Sequence, residues 1–286
     1  MISLNAKLSE LTSGVELLLV DVWGVLHNGL AAHPAASDAL ARYRAQGGFV
    51  MLVSNAPRGG ELVVEFLNKL GVPHDAYDGV VTSGDVSRSL LARGDYATLA
   101  YFGPDKDRSI FAGLSVRETP IAEAEVALGA GLADDETETP DDYLDRLEEC
   151  RARNLPMICA NPDLVVERGP QLIWCAGAIA EAYEKMGGAV IWTGKPHRAI
   201  YDAAIEIATL SLGHAIAPER IMAIGDAIRT DIAGAHGLGV RSLMTADGIH
   251  AHDLLNCARI VDADKASAFL SSATHQPSAM TARLTW

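Results

Sequence analysis

Six polar residues stand just after apolar runs, where chemistry is commonly done. Asp21 ends "VELLLVD", Ser54 and Asn55 end "GFVMLVSN", Lys195 lies in "TGKPH", and Asp226 and Asp231 lie in "GDAIRTD". In a parallel sheet, ligands bind beyond the carboxyl ends of the strands, so residues far apart in sequence can meet there. Convergence would bring together three carboxylates, a hydroxyl, an amide and an ammonium. Each has a task in phosphoryl transfer. Carboxylates hold Mg²⁺ through oxygen ligands. One carboxylate can attack phosphorus and carry the phosphoryl group as an aspartyl phosphate. A serine hydroxyl donates to a phosphoryl oxygen, and a lysine neutralises charge on the transferring group and its nucleophile.

The elements that must position these groups are legible as an alternation. "VELLLVDVW" is too short and too apolar for anything but a buried strand. "AASDALARYRAQGG" has helical spacing and a glycine stop, "GFVMLVSNAP" is a second strand, "RGGELVVEFLNKLGV" a helix ending at Gly71, and "YDGVVTSGDV" a third strand ending near Thr82. The last third repeats the pattern: "AVIWTGKP" reads as a strand ending at Lys195. "HRAIYDAAIEIATLSLG" is an amphipathic helix, "RIMAIGDAIRTDIAGAHGLG" a strand, loop and helix closed by Gly239, and "VRSLMTADGI" a further strand. Alternating strands and helices imply right-handed crossovers. The predicted fold is α/β, with a doubly wound parallel core over 1–84 and 190–286 and an inserted α/β domain over 85–189. Within the insert, "ADDETETPDD" is the most acidic segment. It reads as a solvated loop in which Thr139 or Asp141 caps the next helix, with Pro140 near its first turn. In "TSGDVSRS", Asp85 is the predicted helix cap. The final "HQPSAMTARLTW" reads as frayed or as covering a partner.

The ordered set "DVWGVL", "VSN", "GKP" and "GDAIRTD" resembles the four motifs of the haloacid dehalogenase-like (HAD) hydrolase superfamily, and the long insert between the second and third resembles its class IIA cap arrangement. "CANPD", Cys159 to Asp163, resembles a cap loop of those relatives. Any one motif occurs by chance; four in order at strand ends do not. The resemblance covers most of the chain. It implies a Mg²⁺-dependent phosphatase with Asp21 as nucleophile and metal ligand. Ser54, with Asn55 beside it, would be the phosphate donor, Lys195 the charge-neutralising lysine, and Asp226 and Asp231 the acids of the metal site. Asn161 and Asp163 are the cap residues expected to shape the substrate pocket.

Trp23 departs from that pattern. The relatives' residue two after the nucleophile is aspartate, which ligates the metal through its carbonyl and serves as general acid and base. Trp23 keeps the carbonyl, so metal binding is expected to survive. Its indole N–H is a donor only and cannot transfer a proton in this role. General acid–base catalysis is worth about 10²–10⁴-fold. Alkyl leaving groups need it most, and aryl or acyl phosphates least. His27 is the nearest substitute by sequence, followed by His197; the plainer reading of both is a histidine that only packs or faces solvent. Two other functions remain open. One is a phospho-ligand-binding or regulatory protein on a retained enzyme fold. The other is hydrolysis of a non-phosphate bond, as in dehalogenases or phosphonatases.

Composition narrows the partners. The chain has 286 residues, 49% hydrophobic, with 23 Lys and Arg against 37 Asp and Glu, a net charge of -14. Nucleic acid is excluded as an expected partner, since phosphate-backbone binding needs clustered basic residues. No run approaches the about 20 apolar residues of a membrane span, and no apolar leader is present, so a cytoplasmic protein is expected. Cys150, Cys159, Cys175 and Cys257 form no C-x-x-C pair, so they are read as free thiols. The expected ligand is a small phosphorylated metabolite. A homodimer is a further expectation, carried by the cap type alone.

Overall fold

The computed structural model describes residues 2–168 and 171–286. The chain forms two compact units, one built from 2–54, 64–81 and 195–286, the other from 55–63 and 82–194.

The first unit is organised on a seven-stranded sheet. Its order is Ser3–Leu4, Ala279–Thr281, Arg241–Thr245, Ile221–Gly225, Leu17–Val20, Phe49–Ser54 and Gly79–Thr82. Pairing is parallel from Ser3–Leu4 through Phe49–Ser54. Leu17–Val20 lies in the interior of the sheet with all four residues buried, as a strand covered on both faces must be. Helices close the faces. In Arg198–Leu212, Ile200, Tyr201, Ala204 and Ala208 recur at three- and four-residue steps and are buried; the helix stops at Gly213, whose φ of 76° suits a residue without a Cβ. Gly239, φ 71°, ends Ala233–Leu238 in the same way.

The C-terminal segment departs from expectation. Ala279–Thr281 is a buried strand that pairs with both Leu243–Thr245 and Ser3–Leu4, and Leu284 is 1% exposed. A three-residue strand shows no periodicity in sequence, which is why "HQPSAMTARLTW" reads as a loose end.

The second unit has its own five-stranded sheet, in the order Val190–Trp192, Met157–Cys159, Val126–Gly129, Thr98–Phe102, Arg117–Glu118, and a two-stranded antiparallel hairpin of Val165–Arg168 with Gln171–Trp174. The sheet's two faces follow the period of two. Ala100, Phe102, Ala127, Met157 and Cys159 pack with Leu147, Ile179 and Tyr183 on one side. Leu99, Tyr101, Val126, Leu128 and Ile158 pack on the other. A fully buried side chain of this size is worth about 1.5–3 kcal/mol.

Two helix starts refine the sequence reading. Thr139 stands at the cap before Pro140–Tyr143, and its backbone N–H and hydroxyl both donate to Asp142. Thr82, not Asp85, is the cap of Ser83–Ala92; Asp85 returns the bond from the third position and also accepts from the Gly60 N–H. The strand Val190–Trp192 pairs with Met157–Cys159 in this second sheet, so "AVIWTGKP" is not a strand of the seven-stranded sheet. Lys195 lies in the first unit, three residues past that strand. Among the described residues, no helix is long and apolar enough to cross a membrane.

Candidate metal centre and catalytic site

Register explains why the carboxylates meet. Val20 pairs with Ile224 on one side and Leu52 on the other. Asp21 therefore lies beside Gly225 and Val53, and Asp226 and Ser54 each stand one residue further along. Asp21 is held there by its own N–H, which donates to the Ile224 carbonyl at 2.8 Å. Asp231 arrives from a π-helical turn, Ile228–Ile232, that follows the same strand; such turns are rare and concentrate at functional sites.

One carboxylate oxygen from each of Asp21, Asp226 and Asp231 lies within 4.8 Å of the others, and all three residues are buried. Lys195, 3% exposed, donates to Asp21 at 2.5 Å and to Asp231 at 2.7 Å. Three carboxylates against one ammonium leave two formal negative charges in a buried place, a costly arrangement without a cation. The strain shows at Asp226, whose carboxyl is pushed well above the usual range by burial first and then by the charges of Asp21 and Asp231; a bond from the Ile249 N–H works the other way. An all-oxygen donor set carrying this excess charge fits a hard divalent cation.

Glycines crowd this cluster. A Cβ at Gly24 or at Gly248 would lie 2.0 Å from Asp226 Oδ2, and one at Gly225 would lie 2.0 Å from Asp231 Cγ. Gly24 also has a φ of 84°. These positions are absent from the sequence-based candidates. The spacing D-x-x-G marks Gly24, but nothing in the sequence marks Gly248.

Trp23 and His27 lie in the loop after the first strand. The indole covers Gly29, where a Cβ would stand 2.6 Å from Trp23 Cζ2. Trp23 and His27 meet edge to face at 5.0 Å, and His27 meets Phe66 at 5.3 Å. His27 is 1% exposed, its Nδ1 accepts from the Gly29 N–H at 2.9 Å, and burial, aided by His33, lowers its pKa to about 4. At neutral pH it is therefore an uncharged packing group. His197 is exposed at the start of Arg198–Leu212.

The remaining predicted residues assemble separately, within the second unit. Asn55 donates to Asp163 at 2.9 Å, and the Asp163 N–H donates to Asn161 Oδ1 at 3.2 Å. Gly177 permits this loop to pack closely, since a Cβ there would be 2.3 Å from the Pro162 carbonyl oxygen. The structure thus brings Asp21, Lys195, Asp226 and Asp231 into one cluster and Asn55, Asn161 and Asp163 into another.

Comparison with known proteins agrees with the order of these motifs. A model of haloacid dehalogenase-like hydrolases matches residues 18–117, and a second, for HAD-hydrolase-like chains, matches 192–268. A hydrolase of the haloacid dehalogenase-like family from Brucella suis 1330 is 42% identical, with a TM-score of 0.86, over 99% of this chain and 100% of that one. A possible sugar phosphatase of the HAD superfamily from Cytophaga hutchinsonii shares the fold at 21% identity and a TM-score of 0.79, covering 99% of this chain and 100% of that one. The p-nitrophenyl phosphatase from Archaeoglobus fulgidus does so at 19% and 0.71, covering 93% and 95%. With strand-end carboxylates in the family's order and full-length similarity at 42% identity, the chain belongs to the haloacid dehalogenase-like hydrolases.

Proposed function

We propose that the protein is a Mg²⁺-dependent phosphatase that hydrolyses a small phosphorylated metabolite through an aspartyl phosphate on Asp21. The observation that carries this reading is the buried set Asp21, Asp226 and Asp231, with Lys195 paired to Asp21 and Asp231. The phosphatase descriptions of the Cytophaga and Archaeoglobus proteins support it.

A carboxylate oxygen of Asp21 attacks phosphorus and the ester P–O bond breaks. The alcohol departs with the bonding electrons and takes up a proton from solvent. Water then cleaves the acyl phosphate, releasing phosphate and restoring Asp21. Lys195 bonds Asp21 and Asp231 together and so aims the nucleophile and spreads its charge. Asp226 and Asp231, with Asp21 and the Trp23 carbonyl, would hold Mg²⁺, which supplies charge neutralisation at the phosphoryl oxygens. Ser54 donates to one of those oxygens. Asn55, Asn161 and Asp163 form a second group that selects the rest of the substrate.

The alcohol's proton distinguishes this protein. Trp23 has none to give, and His27 is neutral, with Nδ1 engaged by Gly29. Leaving groups that depart as stable anions, such as aryl or acyl phosphates, suit the site best.

The test is hydrolysis of p-nitrophenyl phosphate with Mg²⁺, with EDTA and with Asp21→Asn. The expected result is activity that needs both the metal and Asp21. Activity surviving in Asp21→Asn would remove the covalent route. Folded, Mg²⁺-binding protein without turnover would favour a phospho-ligand-binding role.

A further inference from the structure

A cavity with a largely apolar lining and a few charged side chains lies in the first unit, in residues the proposed chemistry does not use. Its volume is 360 Å³, and its lining includes Asn5, Asp247, Arg259, Ile260, Thr281 and Arg283. That is the size of a small-ligand site. Its centre is a carboxylate that is almost wholly buried: the Asp247 side chain is 6% exposed. Arg259 grips one of its oxygens and Arg283 the other, while the two arginine side chains are 60% and 56% exposed.

The charge count leaves an excess. One carboxylate faces two guanidiniums, so the cluster carries a net positive charge in a protein whose overall charge is -14. Each guanidinium has five N–H donors in a planar fork, and Asp247 offers only two oxygens. Each guanidinium therefore has more N–H donors than Asp247 has oxygens to accept them. Forks of this kind match the oxygens of phosphate or carboxylate two at a time.

The arginines are also held in place by their backbone. Arg259 has a φ of 57°, a left-handed conformation that is uncommon outside glycine. The turn that imposes it is built by Asn256, whose Oδ1 accepts from the N–H groups of Ala258 and Ile260. Asn5, with a φ of 56°, braces the same segment, bonding both the N–H and the carbonyl of Val261. Arg283 follows the buried strand Ala279–Thr281, and the Thr281 hydroxyl donates to its carbonyl. Two exposed cations are thus fixed on ordered backbone around a buried anchor, while Ile260, 50% exposed, adds an apolar wall.

The geometry points to an oxyanion-binding site distinct from the Asp21 cluster, in which Arg259 and Arg283 jointly hold a phosphate group. That group belongs either to free inorganic phosphate or to the phosphoryl end of a metabolite. The inference is independent of the reaction at Asp21. The two regions are nevertheless neighbours in sequence. Asp247 precedes Gly248, which abuts Asp226, and Ile249, whose N–H bonds Asp226.

The test is binding to the full-length protein, followed by amide NMR shifts and by calorimetry, with inorganic phosphate in one arm and phenylphosphonate in the other. The protein carries Ser54→Ala to weaken binding near Asp21. The expected result is saturable shifts at Asp247, Arg259 and Thr281 to Thr285 with at least one of the two probes. Affinity should fall by on the order of tenfold in Arg259→Ala, which loses one charged donor set. That variant leaves Arg283 paired with Asp247, so the buried carboxylate is not orphaned; Arg259→Lys is a second variant that keeps the charge but loses the fork, and should bind more weakly than wild type. Binding of phosphate alone assigns the site to the free ion, and binding of phenylphosphonate extends it to phosphorylated metabolites. No shift in this region with either probe, or equal affinity in folded wild type, Arg259→Ala and Arg259→Lys, overturns the inference.

Discussion

The two larger sheets of this protein, of seven and five strands, are alike in architecture and opposite in what their strands end in. In the seven-stranded sheet, Leu17–Val20 runs into Asp21, Ile221–Gly225 into Asp226, and Phe49–Ser54 finishes on Ser54. In the five-stranded sheet, Thr98–Phe102 runs into Gly103, Val126–Gly129 into Ala130, and Met157–Cys159 into Ala160. Both sheets are apolar inside, parallel and covered by helices. The first delivers the Asp21 and Asp226 carboxylates directly from its strand ends, and there the burial is expensive enough to push the Asp226 carboxyl upward; the buried Lys195 follows Val190–Trp192 of the second only after two intervening residues. The fold supplies the address, and the residue after each strand supplies the chemistry.

The comparison is sharpest where a strand end is altered. Asp21→Asn should lower turnover on the order of 10⁴-fold or more while leaving the fold intact. Ile158→Val, in the core of the other sheet, should cost about 0.5–1.5 kcal/mol of stability and leave turnover of the folded protein unchanged. Denaturant unfolding and steady-state assays on both variants check the pair. A large activity loss in Ile158→Val at full folding would break the division.

Next in size is the metal. In Gly248→Ala the new methyl would stand 2.0 Å from Asp226 Oδ2, so the carboxylate must move. Mg²⁺ affinity should fall by roughly 10–100-fold, as when a metal ligand loses its support. Titration calorimetry measures this directly, and unchanged affinity would show that Asp226 is not a ligand.

Trp23→Asp restores a titratable group two residues after Asp21. Alkyl phosphate hydrolysis should rise, by up to about 10²-fold, and aryl phosphate hydrolysis should rise less. Equal gains, or none, would place the limit elsewhere.

The smallest effect concerns His27. Its folded pKa of about 4 lies below the ordinary 6.5, so the unfolded chain binds the extra proton first. Stability is therefore full above pH 6.5 and is lost as pH falls towards 4, by up to about 3 kcal/mol. In His27→Gln that part of the slope should vanish in urea unfolding at pH 5 and 7.5. An identical slope would mean that His27 is not the group responsible.

Much of the site was legible because buried strands are apolar runs that stop abruptly. Asp21, Ser54, Asp226 and Asp231 follow such runs. Lys195 is legible as a motif residue, but the sheet its preceding strand joins is not: a run such as "AVIW" says that a strand exists but not which strands it pairs with. Ala279–Thr281 was missed because three residues carry no period. Gly24, Gly225 and Gly248 were missed because a glycine's purpose lies in what stands opposite it. That Trp23 carries an indole and no carboxyl is plain from the sequence, whereas its packing on Gly29 and His27 depends on the fold of the loop.

Those three glycines limit what variation can reach. Around Asp226 and Asp231 any side chain larger than hydrogen collides with a carboxylate. A substitution at any of the three displaces a carboxylate, so drift and selection can retune the charged cluster only by disturbing it.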